Sequence, residues 1–226
     1  MCGRTETLII RPVRPVRLTP LEATVAIRPI TADDSEPFAE LLSADREFLC
    51  RWEPDEPDEY YTPQGQREFT AAVLQACAVG AMRMWAIVEG DEPVGRILLN
   101  NIVLGPLRSC SVGYWVAQRH GGKGHATAAL RGALDVAFNE LRLHRVDAFA
   151  RVDNERSCRM LETAGFQRSG VSRGHLHVGG SWHDEVFFQK LAPWDDGVRL
   201  VPDADAGQGR TGGGSHSSDG SFRPVI

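Results

Sequence analysis

Eight residues, Arg119-His120-Gly121-Gly122-Lys123-Gly124-His125-Ala126, hold three glycines and one of the chain's two lysines, the other being Lys190. They follow the strand-like CSVGYWVA (110–117) and precede a helical stripe of apolar residues. A strand, a Gly-rich turn and a helix start form an arrangement that binds anions. The first helical amides lack intrahelical partners and the helix dipole favours negative charge there. Glycine lets the backbone come close and take unusual φ values, and Lys123 adds a cation. A plain strand-to-helix connection fits the same residues. The nucleotide motifs fail on spacing. A P-loop needs G-x-x-x-x-G-K-[ST], yet Lys123 precedes Gly124 and position 117 is Ala. A dinucleotide fingerprint needs G-x-G-x-x-G, yet Thr127 stands three residues after Gly124. What remains is a pyrophosphate held by a β-loop-α unit of another kind.

The elements around the loop alternate. VAIRPI (25–30) predicts a strand, and Asp33 or Asp34 caps a helix that carries Phe38, Leu41 and Leu42. The Pro- and acid-rich stretch 52–63 reads as a loop, and a second helix covers about Gln64 to Val79. Segments 82–90 and 92–104 form a hairpin across Gly90-Asp91. After the loop, Leu130, Ala133, Leu134, Ala137, Phe138 and Leu141 make one continuous stripe on a helix from about Ala126 to Leu141. A strand at 144–152 follows, then a helix from Asn154 to Ala164 closed by Gly165. A terminal hairpin spans 166–178 and 181–191 across Gly179-Gly180. This is a mixed α/β domain at about residues 23–192. Residues 1–22 form an N-terminal extension. Residues 193–226, rich in Gly, Ser and Asp, read as a disordered tail.

Bulk properties narrow the function. The net charge of -5 supplies no basic face for nucleic acid and is better suited to an amine substrate. No apolar run approaches the about 20 residues of a membrane span, and the first residues contain no signal-peptide core. The five cysteines, Cys2, Cys50, Cys77, Cys110 and Cys158, are scattered without a C-x-x-C, which argues against a disulfide framework or zinc site. A reducing cytoplasm is the expected compartment.

The order V-G-Y-W, the glycine loop, H-R-V (144–146), N-x-x-S (154–157), A-G-F (164–166) and G-G-x-W-x-D (179–184) resembles the GNAT acetyltransferases. It is most similar to their RimJ/RimL group, the ribosomal-protein N-terminal acetyltransferases, over about residues 25–191. The resemblance implies a central, mostly antiparallel twisted sheet flanked by helices, with one strand pair splayed to hold the arm of acetyl-CoA. It implies that Gly121, Gly122, Lys123, Gly124, His125 and Ala126 seat the CoA pyrophosphate. The family writes this loop Q/R-x-x-G-x-G/A. Aligned from V-G-Y-W, Gly121 stands where Gln or Arg is usual, so the seat relies on backbone amides. The register Arg119-x-x-Gly122-x-Gly124 also fits formally but shifts the loop by two residues.

The same resemblance places the pantetheine arm beside Trp115 and Val116, with a Val116 backbone N–H facing the thioester oxygen. Asn154 contacts the arm, and Ser157 donates a proton to the leaving thiolate. Without the family, Asn154 reads as a helix cap and Ser157 as a first-turn polar residue. The reaction implied is direct attack by a neutral amine. A peptide α-amine with pKa about 7.7–8.0 is partly neutral near pH 7, unlike lysine at about 10.4, so it needs only modest base help. Where some relatives place a glutamate, Leu176 stands here. His175 and His177 flank it on one strand face and are the candidate bases; a metal held by the pair is the weaker reading, and no metal is assigned. Asp184 fits a structural bond as well as catalysis. Glu53, Asp55 and Glu56 either line the acceptor side or form a solvated loop. The leading expectation is acetylation of a protein N-terminus. A small-molecule amine acetyltransferase and a silent CoA-binding module are the rivals, with a monomer or homodimer as the assembly.

Overall fold

The computed structural model describes residues 16–17 and 25–194. Most of the N-terminal extension and the tail from 195 onward lie outside the described residues. Among the described residues, eight strands form one sheet in the order β1-β2-β3-β4-β5-β6-β8-β7. The strands are β1 (Val16–Arg17), β2 (Val25–Pro29), β3 (Arg83–Glu89), β4 (Glu92–Val103), β5 (Ser109–Val116), β6 (Arg145–Arg151), β7 (Gln167–Val178) and β8 (Ser181–Leu191). Every pairing is antiparallel except β5 with β6. The helices are α1 (Ser35–Ala44), α2 (Arg46–Leu49), α3 (Pro63–Ala78), α4 (His125–Asp135) and α5 (Glu155–Thr163).

The two faces of the sheet bury different helices. On one face, Leu130, Ala133 and Leu134 of α4 and Cys158 and Leu161 of α5 pack on Ile97, Leu99, Val112, Val146 and Ala148. On the other, Phe38, Leu41 and Leu42 of α1, Leu49 of α2 and Val73 of α3 pack on Met84, Ala86, Val88 and Trp115. The period of two along β5 splits its end between these faces: Tyr114 and Val116 join the first cluster, Trp115 and Ala117 the second. The sequence stripe of α4 is buried as expected, but the α-helix stops at Asp135 and Val136–Glu140 continues as a π turn. Gly179 and Gly180, with φ of 59° and 76°, close the last hairpin in the tight form that only left-handed residues permit.

Three details differ from the sequence reading. The stretch 52–63 contains a 3-10 turn at Asp58–Tyr61, closed where the Thr62 hydroxyl donates to the Glu59 carbonyl at 2.6 Å. The short helix α2 was not anticipated, because four residues carry too little period to detect. Trp194, beyond the expected end of the domain, donates its indole N–H to the Phe138 carbonyl at 3.0 Å, with Arg142 stacked 3.9 Å from the ring.

Asp34, not Asp33, organises the start of α1. Its buried carboxylate accepts from the Thr31 amide at 2.7 Å and from Arg28 at 2.6 and 2.8 Å. Burial pushes its pKa up, but the Arg28 and Thr31 bonds outweigh that and leave it lowered. A lowered carboxyl contributes stability above the ordinary Asp range and loses it as pH falls through the folded-state value. Asp34→Asn is therefore expected to cost about 1–3 kcal/mol in urea unfolding at about pH 7. The difference from the parent shrinks towards about pH 3; a pH-independent gap would refute the assignment.

Candidate active site

The gap between β5 and β6 is set by register. Their parallel pairing begins at Ser109–Arg145 and ends at Val112–Ala148, after which both strands run on, β5 along β4 and β6 along β8. Ala117 N donates to Val94 O at 2.8 Å, so 94–117 is a hydrogen-bonded pair. The next pair, Gly95–Val116, is then of the opposite kind. The Val116 N–H accordingly points away from β4, into the gap. An extended chain lying between the strands meets an unspent backbone donor there.

The glycine loop lies at the end of β5. After a 3-10 turn at Gln118–His120, Gly122 and Gly124 take φ of 79° and 86°, and Gly124 is the N-cap of α4. Among the described residues no side chain caps the first amides of α4, which leaves them for an anion. Nothing lies within 4 Å of where a Cβ would stand on Gly122 or Gly124, so the concave side is open. Gly121 differs: a Cβ there would lie 3.1 Å from both terminal guanidinium nitrogens of Arg156. The first turn of α5 thus brings a cation to the place where the family carries Gln or Arg on the loop itself.

Glu89 at the end of β3 ties the loop down. It accepts from His120 Nδ1 at 3.0 Å, with Lys123 Nζ at 3.7 Å and His125 Nε2 at 3.6 Å. Burial works against the charge on Glu89, yet the His120 bond and the neighbouring cationic groups hold its pKa below the usual range. The buried His125 ring is pushed down by desolvation and so favours its neutral form. The ligand atoms of Glu89, His120 and His125 lie within 4.8 Å of one another, the spacing of a metal site. The surroundings argue instead for a hydrogen bond from His120 and an ion pair from Lys123 on Glu89. Arg119 Nε donates to His120 Nε2 at 3.0 Å, which keeps the proton on Nδ1 facing Glu89, and Lys123 adds a positive charge beside any cation.

Ser157, in the first turn of α5, reaches Tyr114 of β5 beside the gap, and Asn154 is the N-cap of the same helix. Asn154 Oδ1 accepts from Ser157 N at 3.1 Å and caps the helix. The cap and ligand roles are compatible, because the cap uses the oxygen and leaves the amide NH₂. Ser157 Oγ lies 2.8 Å from Tyr114 Oη. Burial pushes the Tyr114 phenol up to about 12, against the opposing effect of the Ser157 bond. Tyr114 is thus a neutral phenol hydrogen-bonded to the expected proton donor. The sequence reading passed over it, although it is the Tyr of V-G-Y-W.

The other face of the gap carries the remaining candidates. His175 Nδ1 lies 2.6 Å from the buried carboxylate of Glu185, and its ring stacks on Phe149 at 4.4 Å. His177 turns to Asp55 at 3.9 Å and to Trp182. Asp55 also accepts from the Gly179 amide at 3.0 Å, while Arg151 donates to the Arg51 carbonyl at 2.7 Å. Segment 51–55 is therefore tied to this face at both ends, through Arg51 and Asp55, while Asp55 itself stays exposed. Trp115 projects its indole here, on the side opposite Tyr114 and Ser157. Asp184 accepts from the Gly174 amide at 2.8 Å, a bond that holds the irregular part of β7. Among the described residues, Cys50, Cys77, Cys110 and Cys158 are free thiols, and no helix is long and apolar enough to cross a membrane.

Comparison with known proteins agrees with this geometry. Residues 24–167 match the acetyltransferase (GNAT) domain family. A probable N-acetyltransferase of Bacillus subtilis, YjcK, is 33% identical over 175 residues, covering 76% of this chain and 97% of its own. The ribosomal protein uS5-alanine N-acetyltransferase of Escherichia coli is 27% identical over 185 residues, covering 80% of this chain and 94% of its own. The structure of Mycobacterium smegmatis RimJ with CoA-disulfide superposes with a TM-score of 0.73 at 31% identity, covering 79% of this chain and 86% of that one. The family match, the relatives and the shared fold agree, and the chain belongs to the GNAT family of acetyl-CoA-dependent N-acetyltransferases.

Proposed function

We propose that the acceptor is a protein N-terminal α-amine, that the enzyme works in the cytoplasm, and that transfer is direct within a ternary complex. The observation that carries this reading is the pair of opposed faces at the gap. Tyr114, Ser157 and the anion seat lie on one side; Glu53, His175 and Glu185 lie on the other. Acidic groups suit an incoming amine. The uS5-alanine acetyltransferase among the relatives acts on a ribosomal protein, which supports an acceptor of that class.

In this reading the amides of Gly122, Lys123, Gly124, His125 and Ala126 hold the pyrophosphate, and Arg156 supplies the cation that Gly121 lacks. Acetyl-CoA supplies the activated acyl group; the protein orients it and moves protons. Val116 N–H holds the acyl oxygen, and the Asn154 amide holds the arm beside the Trp115–Val116 backbone. His175 takes the amine proton, directly or through water. The Glu185 carboxylate fixes the imidazole proton on Nδ1 and leaves Nε2 as the accepting atom. His177, engaged with Asp55, positions the bridging segment. Ser157, backed by Tyr114, protonates the departing sulfur.

An acceptor screen with free-thiol detection tests the acceptor class. Short peptides with free N-termini are expected to be acetylated, and the same peptides with blocked N-termini to be inert. Activity confined to polyamines or other small amines would overturn the proposal.

A further inference from the structure

Beside the gap, on the His175 face, lies a narrow cleft lined by Leu42, Leu49, Glu53, Tyr60, Arg96 and Trp115 among others. The β4–β5 register sets Arg96 opposite Trp115, one pair from Gly95–Val116. Arg96 is 6% exposed. One terminal nitrogen donates to the Tyr60 hydroxyl, and the guanidinium stands 4.5 Å from the Phe69 ring and 5.6 Å from the Trp115 ring. Its Nε and other terminal nitrogen, and the Trp115 indole nitrogen, are buried and find no acceptor among the described residues. Buried donors are rarely left unmet because they have given up water without replacement. Unmet donors on two side chains that line one cleft call for an oxygen between them. The cleft's room, about 20 Å³, suits a single polar group rather than a whole side chain.

Glu53 forms another part of the wall. Burial raises its pKa, Arg96 opposes that rise, and Glu56 and Glu185 add to it. The cleft therefore has a donor end and an acidic end. A free amino acid would bring its carboxylate against those acidic groups. A simple alkylamine would leave the donors unmet. A molecule with an amine beside a neutral carbonyl oxygen satisfies both ends, and a peptide N-terminus has that pattern.

We propose that Arg96 and Trp115 are specificity-determining residues that donate to the first peptide carbonyl oxygen of the acceptor, whose amine lies towards Glu53. The assignment rests on the N-terminal α-amine reading above and adds which part of the peptide is recognised.

The test uses the full chain with saturating acetyl-CoA and three acceptors: an alanine-initiated tripeptide amide, free alanine and propylamine. The peptide amide is expected to be the preferred acceptor. Arg96→Lys keeps the charge but loses the planar fork, and Trp115→Phe removes only the indole N–H. Each is expected to raise the KM for the peptide about 10-fold, as loss of a buried donor to a polar partner does. Calorimetric binding of acetyl-CoA should be unchanged in Arg96→Lys. An unchanged peptide KM in both variants, the result expected if a structural water meets these donors, overturns the inference alone. So does wild-type use of propylamine as efficient as that of the peptide. Wild-type protein that binds acetyl-CoA but acetylates no peptide overturns the α-amine reading itself. A melting scan identifies a folding loss in Arg96→Lys, in which case Trp115→Phe decides.

Discussion

Gly124→Val is expected to weaken acetyl-CoA binding by about 30-fold or more in a calorimetric titration. Gly124 is the N-cap of α4 at φ of 86°. A β-branched residue in the left-handed region carries strain of about 1–3 kcal/mol, and relief comes from rotating the peptide planes that aim the first amides of α4. The new side chain also projects into space that is empty in the protein, on the concave side where the pyrophosphate is proposed to sit. Lys123→Ala should change the affinity about fivefold at most, because its ammonium is half exposed and already 3.7 Å from Glu89. Arg156→Ala should cost more, about tenfold, since a guanidinium can grip a phosphate through two nitrogens. Added salt should shrink the Arg156 and Lys123 effects and leave the Gly124 effect standing, because screening acts on exposed charges and not on backbone geometry. If Gly124→Val binds acetyl-CoA like the parent, the loop is a connection and not a seat.

Ser157→Ala is expected to lower kcat by about 10²- to 10³-fold, the range for removal of a positioned proton donor, with little change in acetyl-CoA affinity. The cap of α5 uses the Ser157 backbone N–H and Asn154 Oδ1, so truncating the hydroxyl leaves the helix start intact. Tyr114→Phe should cost about tenfold, because it removes the partner of the Ser157 hydroxyl and not the hydroxyl itself. Tyr114 is pushed up to about 12, so it stays protonated across any practical assay range and adds no pH limb of its own. Turnover of Ser157→Ala at the parent rate, read by thiol release with a good peptide acceptor, would remove both residues from the proton path.

How much of this was legible beforehand depends on range along the chain. The apolar stripe on α4, the Gly179-Gly180 hairpin and the left-handed glycines are local features: a period of 3.6 or 2, or a φ that only glycine tolerates, is written in neighbouring residues. The boundary of the α-helix at Asp135 and the four-residue α2 escaped because the local signal barely differs across them. Asn154 as cap was readable for the same reason, since a cap bonds three residues ahead.

The sequence by itself determined the order of strands and helices, the conformational freedom of the loop and, through its motif order, the family. Those properties rest on side-chain period, backbone sterics and spacing within a few residues. The tertiary structure alone decided which groups share a site. Parallel pairing that stops at Val112–Ala148 opens the gap, and the β4–β5 register turns the Val116 N–H into it. Alternation along β5 then sends Tyr114 to Ser157 and Trp115 to Arg96 on the opposite side. Packing of α5 beside the loop brings Arg156 to Gly121, restoring a cation whose absence looked, in one dimension, like a missing contact. These meetings join residues far apart in the chain, and only the assembled sheet with its two packed faces brings them together.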